Sequence, residues 1–211
     1  MFPRRISIGK ICPLQSPALL SYLQSRYIAP AVASAHCREV PYTVGGRAYF
    51  VVGFRNDADG WELRNARLKG CSSPKRITTF DNGSDTVLVF EGFMDFLSYL
   101  TLKKTPRPAV DSAVLNSVVN LSEALPFLQR HRTIHAFLDN DGAGHAATEG
   151  IVHSCTGSDV VDQSYFYWQH KDLNKFLQAR NRQPGNERRE VMRPQIAPTC
   201  QPDKSSKRIK R

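Results

Sequence analysis

From Thr86 onward the chain alternates short apolar runs with stretches whose apolar residues recur at helical spacing. Thr86 to Phe90 reads as a buried strand, and Phe93, Phe96, Leu97 and Leu100 mark one face of a helix that Pro106 and Pro108 stop. Ser112 to Leu115 predicts a second strand, Leu121, Ala124, Leu125 and Leu128 a second helix, and Thr133 to Leu138 a third strand. Ala143 to Cys155 predicts a third helix. A short strand near Val160-Val161 and a helix from Asp172 to about Arg180 complete the unit. Strand and helix in alternation predict an α/β fold, a doubly wound, mainly parallel sheet spanning residues 84–180.

The pattern before Thr86 differs. Leu19, Leu20, Leu23 and Tyr27 follow helical spacing behind Ser16 as a cap and Pro17 at the first helical position, and a second short helix begins at Pro30. Arg47 to Phe54 and Trp61 to Arg64 flank Asp59-Gly60 and predict a hairpin. Residues 15–83 therefore form a small mixed α+β lobe. Residues 1–14 lack a periodic apolar face and are expected to be an unstructured leader. Beyond Arg180 periodicity fails again. Residues 181–211 hold nine Lys or Arg against three acids, the pattern of a disordered basic tail.

Charge narrows the partners. Lys plus Arg outnumber Asp plus Glu by 29 to 19, a net charge of +10, which favours a polyanion such as nucleic acid. Arg55, Arg64, Arg67, Lys69, Lys75 and Arg76 fall on the predicted hairpin or just after it and are the candidate surface for a nucleic-acid backbone. The five cysteines form no Cys-x-x-Cys pair, so neither a zinc site nor a disulfide framework is expected. No apolar stretch approaches about 18 residues and no signal peptide is visible, so a cytoplasmic location without membrane contact is expected.

The candidate chemistry sits in two acidic segments about fifty residues apart, Glu91-Gly92-Phe93-Met94-Asp95 and Asp139-Asn140-Asp141-Gly142-Ala143-Gly144. Each ends an apolar run and opens a helix, which places its acids at the carboxyl end of a strand, where crevices form in parallel sheets. Carboxylates gathered there repel one another unless a cation lies between them. An all-oxygen donor set favours Mg²⁺ or Mn²⁺. An acid in this position also caps the following helix, a second reading that holds most for Asp139 and Asp141 taken alone, and for Asp95 and Asp172 in the first turns of helices.

Together the two segments resemble the TOPRIM domain shared by topoisomerases and bacterial replicative primases, and the primase version most. Gly53-Phe54-Arg55-Asn56, Glu62-Leu63-Arg64-Asn65, Lys69-Gly70-Cys71 and Ser73-Pro74-Lys75 resemble the N-terminal subdomain of primase-like TOPRIM proteins carried by mobile elements. The resemblance implies Glu91, Asp139 and Asp141 as catalytic residues, and metal ligation by these three with Asp95 and Asp172. Gly92, Gly142 and Gly144 would let phosphate oxygens or metal-bound waters approach the backbone. Lys171-Asp172-Leu173-Asn174 matches a later acidic element of the primase pattern in which the second acid has become Asn174. The implied activity is Mg²⁺-dependent synthesis of short RNA primers from ribonucleotides on a single-stranded DNA template, for plasmid or mobile-element replication or transfer. A replication or conjugation protein is an expected partner. The residues show neither the zinc-binding module nor the helicase-binding domain of such primases, so either the chain is a fragment or template selection falls to a partner or to the basic tail. A metal-dependent TOPRIM nuclease and a catalytically inactive nucleic-acid-binding module are the alternatives.

Overall fold

The computed structural model describes residues 7–182. They fold around two sheets. The first is antiparallel and joins β1 (Ser7–Ile8), β2 (Cys12–Pro13), β3 (Cys37–Val44), β4 (Arg47–Arg55), β5 (Trp61–Arg64) and β6 (Lys69–Cys71). Two helices, α1 (Pro17–Ser25) and α2 (Pro30–His36), precede β3. Pro17 opens α1 as its spacing predicts, but the Ser16 side chain makes no cap hydrogen bond. The predicted hairpin pairs Phe54 with Glu62 and Arg55 with Trp61.

The longest pairing in this lobe escaped the sequence. β3 and β4 pair over eight residues from Cys37↔Phe54 to Val44↔Arg47. Gly45 and Gly46 turn between them with φ of 57° and 75°, the left-handed pair that a two-residue hairpin loop requires. Pro41 within the run, and burial limited to Cys37 and Val40, hide the period of two. Residues 7–13, expected to be an unstructured leader, contribute β1 and β2 instead. Ser7 pairs with Thr43 and Cys12 with Glu39. Main-chain pairing to an open strand edge needs little side-chain pattern, although Ile8 and Ile11 do pack on the small core of Val40, Val51 and Leu63.

The second sheet carries the alternating unit: β7 (Thr78–Phe80), β8 (Thr86–Phe90), α3 (Phe93–Lys103), β9 (Asp111–Val114), α4 (Leu121–Leu128), β10 (Thr133–Phe137), α5 (Gly142–Ser154), β11 (Asp159–Asp162) and α6 (Leu173–Arg182). The strand order is β11-β10-β8-β9-β7, parallel except for the antiparallel edge strand β7. Alternate residues of β8 enter different cores, Leu88 and Phe90 with α3 and α6, Val87 and Val89 with α4 and α5. The sheet is covered on both faces, as the apolar runs predict. Two boundaries move. β7 places residues 78–80, assigned to the basic lobe, in the second sheet, and Asn181 and Arg182, assigned to the tail, lie in α6. The rest of the expected leader, residues 1–6, and of the tail, residues 183–211, lies outside the described residues.

The lobes share a core. Phe54 of β4 stacks on Phe93 of α3 at 5.2 Å between ring centroids and lies 5.9 Å from the Phe96 ring of the same helix. Burying each such ring contributes roughly 1.5–3 kcal/mol, and the paired geometry about 1 kcal/mol more. This apolar hinge holds the first sheet beside the carboxyl ends of β8 and β10.

Candidate active-site cleft

The register of the parallel strands brings the two acidic segments together. β8 and β10 are neighbours with Phe90 opposite Phe137, so Glu91 and Asp139 leave adjacent strand ends within one residue of each other. The Asp139 backbone N–H donates to Glu91 Oε2 at 3.4 Å. Gly144 is seated against the same loop. A Cβ there would lie 2.0 Å from the Asp139 carbonyl oxygen, so the glycine serves close packing of α5 on the strand end. Gly142 meets open space, and neither Gly142 nor Gly144 is among the residues that line the cleft. Gly92 does line it.

Glu91, Asp95, Asp139 and Asp172 border one cavity of about 570 Å³ between the lobes. Burial raises the Glu91 carboxyl, helped by the charge of Asp141. Asp139 is pushed up to about 7 by burial and then by Glu91 and Asp172. Asp95, buried in the first turn of α3, stands well above the ordinary carboxylate range through burial and the charges of Asp172 and Asp139. Its Oδ1 accepts the Asn174 N–H at 3.1 Å. Asp172 caps the start of α6, accepting the Lys175 N–H at 2.6 Å.

Asp141 is placed differently. It caps α5, its Oδ1 accepting from Ala143 and Gly144 N–H groups at 3.1 Å each, and it stands outside the cavity lining. The Gly144 hydrogen bond and the Lys171 ammonium hold its carboxyl below the usual range. The helix-cap reading is thus satisfied at Asp141. Lys171 Nζ lies 3.0 Å from Asp141 Oδ2 and 3.7 Å from Asp139 Oδ2. A protein ammonium therefore bridges the two acids of the Asp-x-Asp.

The facing wall comes from the first lobe. Arg64, Lys69 and Lys75 line the cavity, joined by Glu62. The other three basic candidates lie elsewhere: Arg55 pairs with Asp59, Arg76 reaches Glu123 at 3.7 Å, and Arg67 is exposed beyond the cleft. Glu62 is pushed up to about 7 by burial against the opposing pull of Lys75, Arg64 and Lys69.

Two asparagines that sequence reasoning left without a positive role organise this site. Asn140, between the two acids, donates through Nδ2 to the carbonyls of Ser164, Tyr167 and His170 at 3.2, 3.0 and 2.9 Å, and its N–H donates to Lys171 O at 2.7 Å. It thereby pins the loop that delivers Lys171 and Asp172. Asn174, read as an acid lost from a metal cluster, is instead a buried connector. Its Nδ2 donates to Arg26 O at 3.1 Å and to Ser98 Oγ at 2.9 Å, and its Oδ1 accepts from Gln178 at 2.8 Å and from Arg26 at 3.3 Å. A carboxylate there has no proton to donate to Arg26 O. The position of Asn140 inside the Asp-x-Asp was the visible signal; its three acceptors, 24 to 30 residues away, were not.

Residues 88–177 match a family described as Toprim-like. This stretch is a Toprim-like domain. Residues 8–73 match a separate domain of unknown function (DUF8464). The chain is similar in fold to the primase fragment of the bacteriophage T7 primase-helicase protein, with a TM-score of 0.53 and 19% identity over 72% of this chain and 66% of that one. It is also similar to the zinc-binding and RNA polymerase domains of the Aquifex aeolicus primase, with a TM-score of 0.57 and 14% identity over 80% of this chain and 54% of that one. At these identities the likeness is one of fold, and the chain spans about two thirds of the first fragment's length and about half of the second's. No curated protein matches the sequence.

The donor set of the Toprim-like domain suits a hard divalent ion. Glu91, Asp95, Asp139 and Asp172 offer only carboxylate oxygens, and Asp95 and Asp139 are raised in part by the charges of the others, the imbalance that a cation relieves. Among the described residues, no three His, Cys, Asp or Glu are gathered closely enough to hold an ion as they stand. The donor chemistry fits Mg²⁺ or Mn²⁺.

Proposed function

We propose that this Toprim-like protein is a primase-type nucleotidyltransferase that makes short RNA primers on single-stranded DNA, in the service of a plasmid or other mobile element. The observation that carries the reading is the cleft itself, where a carboxylate wall on the Toprim-like domain faces Arg64, Lys69 and Lys75 of the first lobe across one cavity. Hydrolysis of a phosphodiester brings a single strand to the acids and their metal. Template-directed synthesis also needs a second surface that holds a polyanion beside them.

Glu91, Asp139 and Asp172 would hold Mg²⁺ or Mn²⁺, with Asp95 and Asp141 behind them. The metal would lower the pKa of a primer 3′-hydroxyl and neutralise the triphosphate. Glu91, raised by burial, is suited to take up the proton as the hydroxyl attacks. Lys171 stands between Asp139 and Asp141 and would turn to the pyrophosphate once a divalent ion replaces it there. Arg64, Lys69 and Lys75 would bind template phosphates without reading bases.

The test is incubation of the protein with single-stranded DNA, Mn²⁺ or Mg²⁺ and labelled ribonucleotides, followed by separation of products by size. New short RNA, lost in Glu91→Gln and reduced in Lys75→Glu, is the expected outcome. Glu91-dependent shortening of the DNA without ribonucleotide incorporation would replace this reading with a metal-dependent nuclease. DNA binding with neither activity would leave a nucleic-acid-binding module.

A further inference from the structure

A second cavity, of about 290 Å³, lies on the α3 and α6 face of the parallel sheet and shares no lining residue with the cleft. Leu88 and His135, opposite each other on β8 and β10, contribute to its sheet side together with Phe137. Tyr99 and Leu102 of α3 and Phe176 of α6 belong to its lining and remain only partly buried at the margin of the larger core. Phe166, from the loop after β11, borders the opening and is 48% exposed. An apolar hollow ringed by aromatic side chains is what a flat apolar body would fill.

Its charged groups are few and of one sign. No Asp or Glu is among the lining residues, whereas Lys103 and Arg180 both are. Lys103 Nζ stands 5.5 Å from the centre of the Tyr99 ring, so the ammonium is held over an aromatic wall of the cavity. His135 Nδ1 lies within hydrogen-bond distance of Gln163 Nε2, at 2.9 Å. The primer chemistry proposed above uses none of these groups.

We propose that this cavity is a binding site for a small aromatic anion, a flat ring body carrying one carboxylate, sulfate or phosphate, with the ring body packed against the wall that Tyr99, Phe137 and Phe176 form and the anion at Lys103. The anionic preference follows from the lining: a neutral ligand would gain nothing from Lys103, and a cation would meet that ammonium with no acid in the lining to offset it. The site stands independently of the reaction in the cleft.

The probe is 2-naphthoate, titrated into the full chain by calorimetry and compared with 2-naphthylmethylammonium, which has a similar ring and the opposite charge. One saturable site, at least tenfold preference for naphthoate, and a raised unfolding temperature with naphthoate are expected. Lys103→Glu should remove the preference, and Leu102→Trp, which fills the cavity, should abolish binding at an unchanged unfolding temperature. Should Leu102→Trp fail to fold, Val110→Phe serves the same purpose from another wall. Lys69→Glu with Lys75→Glu should leave naphthoate affinity as it is. Binding that is unsaturable, equal for the two probes, retained in the filled cavity, or lost with Lys69 and Lys75 would overturn the proposal, the last by placing the anion in the cleft.

Discussion

Asp139 concentrates the conflict between folding and chemistry in one carboxyl. Its folded pKa of about 7 stands above the ordinary value, so the metal-free fold holds a proton there that the unfolded chain releases. That contribution is complete below the ordinary carboxylate range and is lost as pH rises through about 7. The metal-free protein is therefore expected to melt at a lower temperature at pH 8 than at pH 6. Asp139→Asn should flatten this difference and stabilise the fold at pH 8 by on the order of 2 kcal/mol, while primer synthesis disappears. Identical melting of wild type and variant at pH 8 would show that the carboxyl is not strained. Asp111 has the opposite sign. Burial works against its charge, but hydrogen bonds from His131, Ser84 and Asn82 bring its pKa below the ordinary value. Its contribution is present above the ordinary range and lost as pH falls through the lowered folded value. Asp111→Asn, which breaks a fully buried pair, should cost about 3 kcal/mol at pH 7 in a denaturant titration.

Among the elements, the loop from Ser164 to Asp172 draws much of its geometry from one side chain. It opens with a short 3₁₀ turn at Ser164–Tyr167, and Asn140 collects three of its carbonyls. Asn140→Ala should lower stability by roughly 1–3 kcal/mol, the cost of leaving partly buried carbonyls unpaired. Amide exchange should quicken over residues 164–172 while α4 and α5 stay protected. Asn140→Asp should be worse, since it sets a carboxylate against the same carbonyls. Uniform exchange in both variants would mean that the loop is held by Tyr167, whose hydroxyl donates to Leu138 O at 2.8 Å. Other elements carry their instructions locally. α3, α4 and α5 begin and end close to where spacing, Gly92 and Pro106 predict.

On the scale of the whole molecule, the +10 charge is distributed between the first lobe and the tail. Residues 183–211 carry eight Lys or Arg against three acids. Removing them should weaken single-stranded DNA binding and reduce the steepness of its salt dependence. Every phosphate that goes unneutralised changes the log–log slope by about 0.7. Lys75→Glu should shift the slope by one or two such steps and lower primer yield, with divalent-ion stabilisation of the Toprim-like domain intact. A slope unchanged by the tail deletion would assign the tail to a protein partner. The shared aromatic core and the Asn174 to Arg26 hydrogen bonds keep the basic wall beside the acids.

The sequence by itself determined the Toprim-like half and its acids. Buried parallel strands read as apolar runs, and a carboxylate at a strand end followed closely by a glycine and a helix is a local signal too. It determined the basic character of the facing lobe as well, but not which cations face the cleft. Arg64, Lys69 and Lys75 face it while Arg55, Arg67 and Arg76 do not, because strand pairing and two ion pairs set the direction of each side chain. Only the tertiary structure decided that β1, β2 and β3 exist as sheet, since main-chain pairing to a distant strand leaves little trace in side-chain period. The roles of Asp141 as helix cap, Lys171 as bridging cation, and Asn140 and Asn174 as connectors were likewise settled there. Each depends on partners brought close by strand register and lobe packing, and a hydrogen bond across 24 or 148 residues has no signature in either neighbourhood.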